Sequence, residues 1–174
     1  MLSTFILSYA FPMALSNNDT LRRLRYSLNL RDPQLERIFS LSGRPLDRLT
    51  IDRYMKREGE DEWLECPDEV LSDFLDGLIL LFRGPKPRTE PAPKPERSKG
   101  LSNNDILKKL RIALELQEED LIAVMERSGM KVSPSEINAL FRKKDHRNYK
   151  PCGDQFLRNF LTGLEGYGSK NNRD

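Results

Sequence analysis

The chain has 174 residues, 32% of them charged and 37% hydrophobic, with 29 Lys and Arg against 27 Asp and Glu for a net charge of +2. This balance argues against a disordered chain, and against a protein whose overall field recruits nucleic acid or anionic membrane. No run of about 20 apolar residues occurs, so no membrane span is predicted.

Residues 1–14 (MLSTFILSYAFPMA) are apolar but contain no Lys, no Arg and no A-x-A site, so they do not read as a secretory signal. Met13 stands just before the next element. The segment is expected to be a disordered extension or the result of an upstream start assigned in error.

From residue 15 the chain repeats itself. At an offset of 86, residues 15–78 lie over 101–164 without a gap and share 21 identities in 64 positions. LSNNDTLRRLRYSLNL (15–30) matches LSNNDILKKLRIALEL (101–116), and LSDFLDGL (71–78) matches LRNFLTGL (157–164). Chance does not give such a match, and duplication does. The organisation is therefore a helical repeat at 15–84, a linker at 85–100, a second repeat at 101–168 and a tail at 169–174.

Each copy predicts four helices. In copy two the first opens on a capping box, Ser102 with Asp105, and a hydrophobic staple, Leu101 with Ile106; Leu107, Leu110 and Leu114 form its apolar stripe. The second begins in copy one at Asp32-Pro33, a capping residue before a first-turn proline, and stops at Gly43 or Gly129. The third begins at Ser133-Pro134-Ser135-Glu136, a second capping box, and is expected to run through Phe141 into the basic end Arg142-Lys143-Lys144. A polar loop follows, GEDEWLE in copy one and DHRNYKP in copy two. The fourth helix begins near Cys66-Pro67-Asp68 or Cys152-Gly153-Asp154 and carries Phe74 or Phe160 at matching core positions. No stretch alternates with period two for long enough to predict a strand. The fold class is all-α: two tandem four-helix domains, each expected to fold by itself, joined by a proline-rich linker. That linker holds 5 of the 11 prolines and spans up to roughly 50 Å at about 3.1 Å per residue.

The copies differ at the end of the fourth helix. Copy one continues Ile79-Leu80-Leu81-Phe82, apolar on every side, whereas copy two reaches Glu165-Gly166-Tyr167-Gly168. A helix apolar all round needs cover all round. Ile79, Leu80, Leu81 and Phe82 are therefore interface candidates, covered by the second copy or by another subunit, which leaves a homodimer open.

Candidate chemistry is sparse. Cys66 and Cys152 sit at a helix start, where a thiolate is favoured, but only one histidine exists and a repeated Cys–His pair cannot form. Two free, structural thiols are the simpler reading. Two cysteines and one distant histidine do not match zinc-ligand spacing, and the glycines are isolated rather than gathered in a phosphate loop. Asp68 and Asp154 fall in the first turn of the fourth helix, where the dipole explains them. No catalytic residue, metal or cofactor is expected, and the chain is read as not an enzyme. The basic residues Lys108, Lys109, Arg111, Arg142, Lys143 and Lys144 form the nucleic-acid candidate, because the second and third helices outline a helix-turn-helix. Against it, copy one is net negative, with 11 Lys and Arg against 14 Asp and Glu in residues 15–84.

The run LSNNDILKKLRIAL at 101–114, the S-G-x3-S element at 128–133 and the CGDQFLRNFLxGL block at 152–164 resemble the YehS-type bacterial family of short cytoplasmic proteins. The likeness spans both copies, roughly residues 15–165. It implies a duplicated helical domain and a cytoplasmic protein, and brings no known reaction, ligand or catalytic residue. Together these readings make the chain a tandem helical protein-interaction module with an unknown protein or peptide partner; nucleic-acid binding is the alternative.

Overall fold

The computed structural model describes residues 14–85 and 100–167. The predicted extension up to residue 13, the tail and nearly all of the predicted linker lie outside the described residues. Eight α-helices follow in chain order: α1 (Asn17–Ser27), α2 (Asp32–Leu41), α3 (Arg48–Met55) and α4 (Asp68–Arg83) in repeat one, then α5 (Asn103–Ala113), α6 (Glu118–Arg127), α7 (Pro134–Leu140) and α8 (Asp154–Gly163) in repeat two. No strand occurs among the described residues.

The helix starts follow local chemistry. Ser102 Oγ accepts the Asp105 N–H while Asp105 Oδ2 accepts the Ser102 N–H, and Ser133 with Glu136 closes the same reciprocal box. Gly43 and Gly129 hold φ of 82° and 83°, the left-handed conformation that ends α2 and α6. Two boundaries differ from expectation. Asp32 is the first residue of α2 rather than its cap, and its carboxylate pairs with Arg25 and Arg48, each at 2.6 Å. The α2 start is closed instead by Gln34, whose Oε1 accepts the Arg31 N–H. α7 stops at Leu140, so Arg142, Lys143 and Lys144 lie beyond the helix rather than in its last turn. Where the chain leaves the helix, the Leu140 carbonyl accepts from the Asn104 side chain.

Both fourth helices approach the second helix of their own repeat at backbone contact. A Cβ on Gly77 would stand 2.0 Å from the Ile38 carbonyl oxygen, and one on Gly163 would stand 1.9 Å from that of Val124. The glycines are needed for this closeness, since any side chain would push the helices apart.

The two repeats are not beads on a string. One continuous apolar core runs from Leu21 to Leu164 through all eight helices. Phe74 and Phe160 are both fully buried in it, and the Phe74 ring lies 5.4 Å from that of Phe39. The first helix of each repeat packs on the fourth helix of the other, α1 on α8 and α5 on α4, which makes the arrangement reciprocal about an approximate twofold axis. Ile79, Leu81 and Phe82 pack onto this shared core, and Arg83 pairs with Glu115 of the other repeat at 2.9 Å. Leu80 is half-buried and does not join that packing. Its direction on α4 differs from that of Ile79 by one residue's turn of about 100°.

Candidate partner-binding groove

The paired asparagines at the start of each repeat organise the site. Asn18 Nδ2 donates to the carbonyls of Tyr54 (2.9 Å) and Leu64 (2.8 Å), and its Oδ1 accepts the Cys66 N–H (2.9 Å). Asn104 makes the same three bonds, to Leu140 (2.8 Å), Lys150 (3.0 Å) and Cys152 (2.8 Å). One side chain thereby replaces strand or helix partners for both ends of the loop between the third and fourth helices. Asn17 and Asn103 complete the anchor by donating to the carbonyls of Cys66 and Cys152 and to Asp68 and Asp154.

Asp68 and Asp154 do more than complement a dipole. Asp68 Oδ2 accepts the Leu101 N–H at 2.9 Å, and Asp154 Oδ2 accepts the Leu15 N–H at 3.0 Å. Each carboxylate therefore joins the start of its own fourth helix to the start of the other repeat's first helix. The N-termini of α1, α4, α5 and α8 meet at one end of the molecule, with both anchored loops beside them. The bonds from Asn103 and Leu15 hold the Asp154 carboxyl below its ordinary range.

At this end each repeat bears a groove between the start of its first helix and its anchored loop. The repeat-two groove, about 580 Å³, is lined by Leu101, Ser102, Asn104, Asp105, Lys108, Leu140, Phe141, Arg142, Lys143, Lys144 and Tyr149, with Asp68 and Gly100 at its edge. The repeat-one groove, about 440 Å³, is lined by the equivalent Leu15, Ser16, Asn18, Asp19, Arg22, Glu58 and Trp63, with Asn17, Glu65 and Cys66. The same cradle is thus built twice with different walls. Where repeat two places Lys144 and Tyr149, repeat one places Glu58 and Trp63. The Trp63 indole Nε1 is buried without a hydrogen-bond partner.

Of the six basic residues singled out in the sequence, four meet in the repeat-two groove: Lys108, Arg142, Lys143 and Lys144. The other two are engaged elsewhere. Lys109 Nζ crosses to repeat one, where it reaches Asp76 Oδ1 at 2.7 Å and Ser72 Oγ at 2.9 Å. The Arg111 guanidinium lies over the Phe141 ring, 4.7 Å from its centroid, and its Nε donates to the Leu116 carbonyl. Tyr149, Arg147 and Lys150 were missed by the sequence reading. For Arg147 the signal was present in the aligned loops, as opposite charge at the matched Asp61, whereas Tyr149 and Lys150 lie over Trp63 and Leu64.

The exposed positions of α7 are Pro134, Ser135, Glu136 and Asn138, with no cation among them. On α3, Arg48 is held by Asp32 and Asp52.

Cys66 and Cys152 are buried free thiols, and burial, reinforced by the neighbouring Asp68 or Asp154, pushes each up to about 12. They stay protonated at neutral pH and are poor nucleophiles there. Among the described residues no three His, Cys, Asp or Glu side chains gather in a way that could hold a metal ion, and no helix is long and apolar enough to cross a membrane.

The fold and the doubled groove define a class: a tandem duplication of one four-helix unit closed about a shared core. The family described as "Protein of unknown function (DUF1456)" matches residues 17–84 and again 103–167, so the chain belongs to that family. It is 44% identical over 148 residues to the uncharacterized protein YehS of Escherichia coli (strain K12), an alignment covering 85% of this chain and 93% of that protein. No solved structure matches the chain.

Proposed function

We propose that this chain is a non-enzymatic interaction module whose repeat-two groove takes an acidic segment of a protein partner. One observation carries the reading: Lys108, Arg142, Lys143 and Lys144 converge on one groove beside Tyr149, and none of the ion pairs among the described residues involves them. Cations outside any ion pair around a half-buried aromatic suit carboxylates on an extended or helical peptide. The alternative, nucleic acid, gains less from this geometry. An extended polyphosphate would run from the basic groove onto the acidic loop of repeat one at the same end, and repulsion there opposes it.

The test is fluorescence anisotropy of a labelled Glu/Asp-rich peptide, and of mixed DNA and RNA oligonucleotides, at about 50 and 200 mM salt. The expected result is saturable peptide binding that weakens with salt and is lost in the Lys143→Glu, Lys144→Glu double variant. Oligonucleotide binding that persists at the higher salt, without peptide binding, would transfer the groove to nucleic acid.

A further inference from the structure

The anchored loops of the two repeats have the same length and the same three asparagine bonds, yet opposite charge. Residues 57–65 hold five acids (Glu58, Glu60, Asp61, Glu62, Glu65) and one base (Arg57), net −4. The equivalent residues 143–151 hold four bases (Lys143, Lys144, Arg147, Lys150) and one acid (Asp145), net +3 with His146 neutral. All of these charged side chains are exposed. Both loops stand at the end where the four helix N-termini meet, on opposite sides of the approximate twofold axis that relates the repeats. This end of the molecule is therefore a charge dipole laid across a symmetric platform.

We infer that this end is a self-association face, on which the acidic loop of one molecule seats against the basic loop and groove of a second copy. The inference rests on the groove reading above and names its partner. A second copy related by a twofold axis perpendicular to the internal one brings acid to base twice, in a closed isologous dimer. The reverse pairing, acid on acid, is repelled, so the charges fix the orientation as well as the attraction. The anchoring asparagines hold each loop in one shape, which reduces the ordering that docking requires. Because the contact is charged and exposed, the dimer is weak and salt-sensitive.

Sedimentation velocity on the full chain, stripped of nucleic acid, from about 1 to 200 μM measures this directly at about 50 and 500 mM salt, conditions that bracket strong and weak screening. The dissociation constant should rise at least about tenfold at the higher salt. The decisive arm uses two charge-reversed chains. In the first, Glu58→Lys, Asp61→Lys and Glu65→Lys make both loops basic; in the second, Lys143→Glu, Lys144→Glu and Arg147→Glu make both acidic. None of the six side chains has an ion-pair partner among the described residues, and a circular dichroism melt of each variant is the control for folding. Each variant alone should be monomeric, and an equimolar mixture should restore a dimer. A monomeric mixture overturns the inference, as does a wild-type dimer indifferent to salt and to both variants. A wild-type chain that stays monomeric at 50 mM salt but binds the acidic peptide overturns the inference and leaves the groove reading standing. Absence of both overturns both. A monomeric chain whose basic loop binds oligonucleotide instead assigns the face to nucleic acid.

Discussion

The asparagine anchors and the loops they hold lie side by side in each repeat, yet the anchors are the same in both copies while the loops have diverged. Asn18 and Asn104 make the same three backbone bonds, while the loops between those bonds reverse sign, Glu58 to Lys144 and Asp61 to Arg147. An interior polar side chain that satisfies three backbone groups cannot change without leaving them unpaired. An exposed loop whose two ends are already fixed can change nearly any side chain without penalty to the fold. The difference shows where duplication left the molecule free: the frame is doubled, the surface is specialised.

If the frame really is equivalent in both copies, damage to it should be equally severe in either. Phe74→Ala and Phe160→Ala should each destabilise the chain by about 3–5 kcal/mol in urea denaturation, because each empties a fully buried ring from one continuous core. A large loss for one and a loss below about 1 kcal/mol for the other would break the equivalence.

Gly77→Ala and Gly163→Ala come next. The added methyl meets a helix carbonyl in both places, and backbone cannot swing aside, so about 3 kcal/mol is expected at each. An Ala variant with an unchanged denaturation midpoint would mean that the helices are not in backbone contact.

Asn18→Ala and Asn104→Ala should each cost about 1–3 kcal/mol through unpaired backbone groups, with the larger loss at Asn18, which is the more deeply buried of the two. Hydrogen exchange should speed up at the Cys66 amide in one variant and the Cys152 amide in the other. Exchange unchanged at those amides would separate the asparagines from the loops they are said to anchor.

The smallest effect is on pH. The Asp154 carboxyl lies below its ordinary 3.8, so its contribution to stability is fully present above that value and is lost as pH falls through the depressed value. Asp154→Asn should flatten the acid limb of the stability curve below the ordinary 3.8 relative to the parent chain. An unchanged acid limb would detach this carboxylate from the contact with Leu15.

Much of this was legible in the sequence. The helix count, the Ser102 and Ser133 boxes, the Gly43 and Gly129 stops and the duplication at an offset of 86 all rest on interactions within a few residues or on direct self-comparison. The apolar run after Leu78 signals a need for cover, but not that Ile79, Leu81 and Phe82 pack on the shared core while Leu80 does not join them. The six basic residues were visible, but not that Lys109 crosses to Asp76 and Arg111 stacks on Phe141, which leaves four for the groove. The Asp32 reading failed because two arginines, one seven residues before it and one sixteen residues after, claim its carboxylate.

What the sequence by itself determined is the unit and its doubling, because caps, stripes and terminators act over one or two helical turns. Only the tertiary structure decided that two units share one core, that Asp68 and Asp154 each close the other repeat's first helix, and that both loops stand at one end. Those facts depend on residues 33 and 139 positions apart meeting in space, and no local pattern encodes such a meeting.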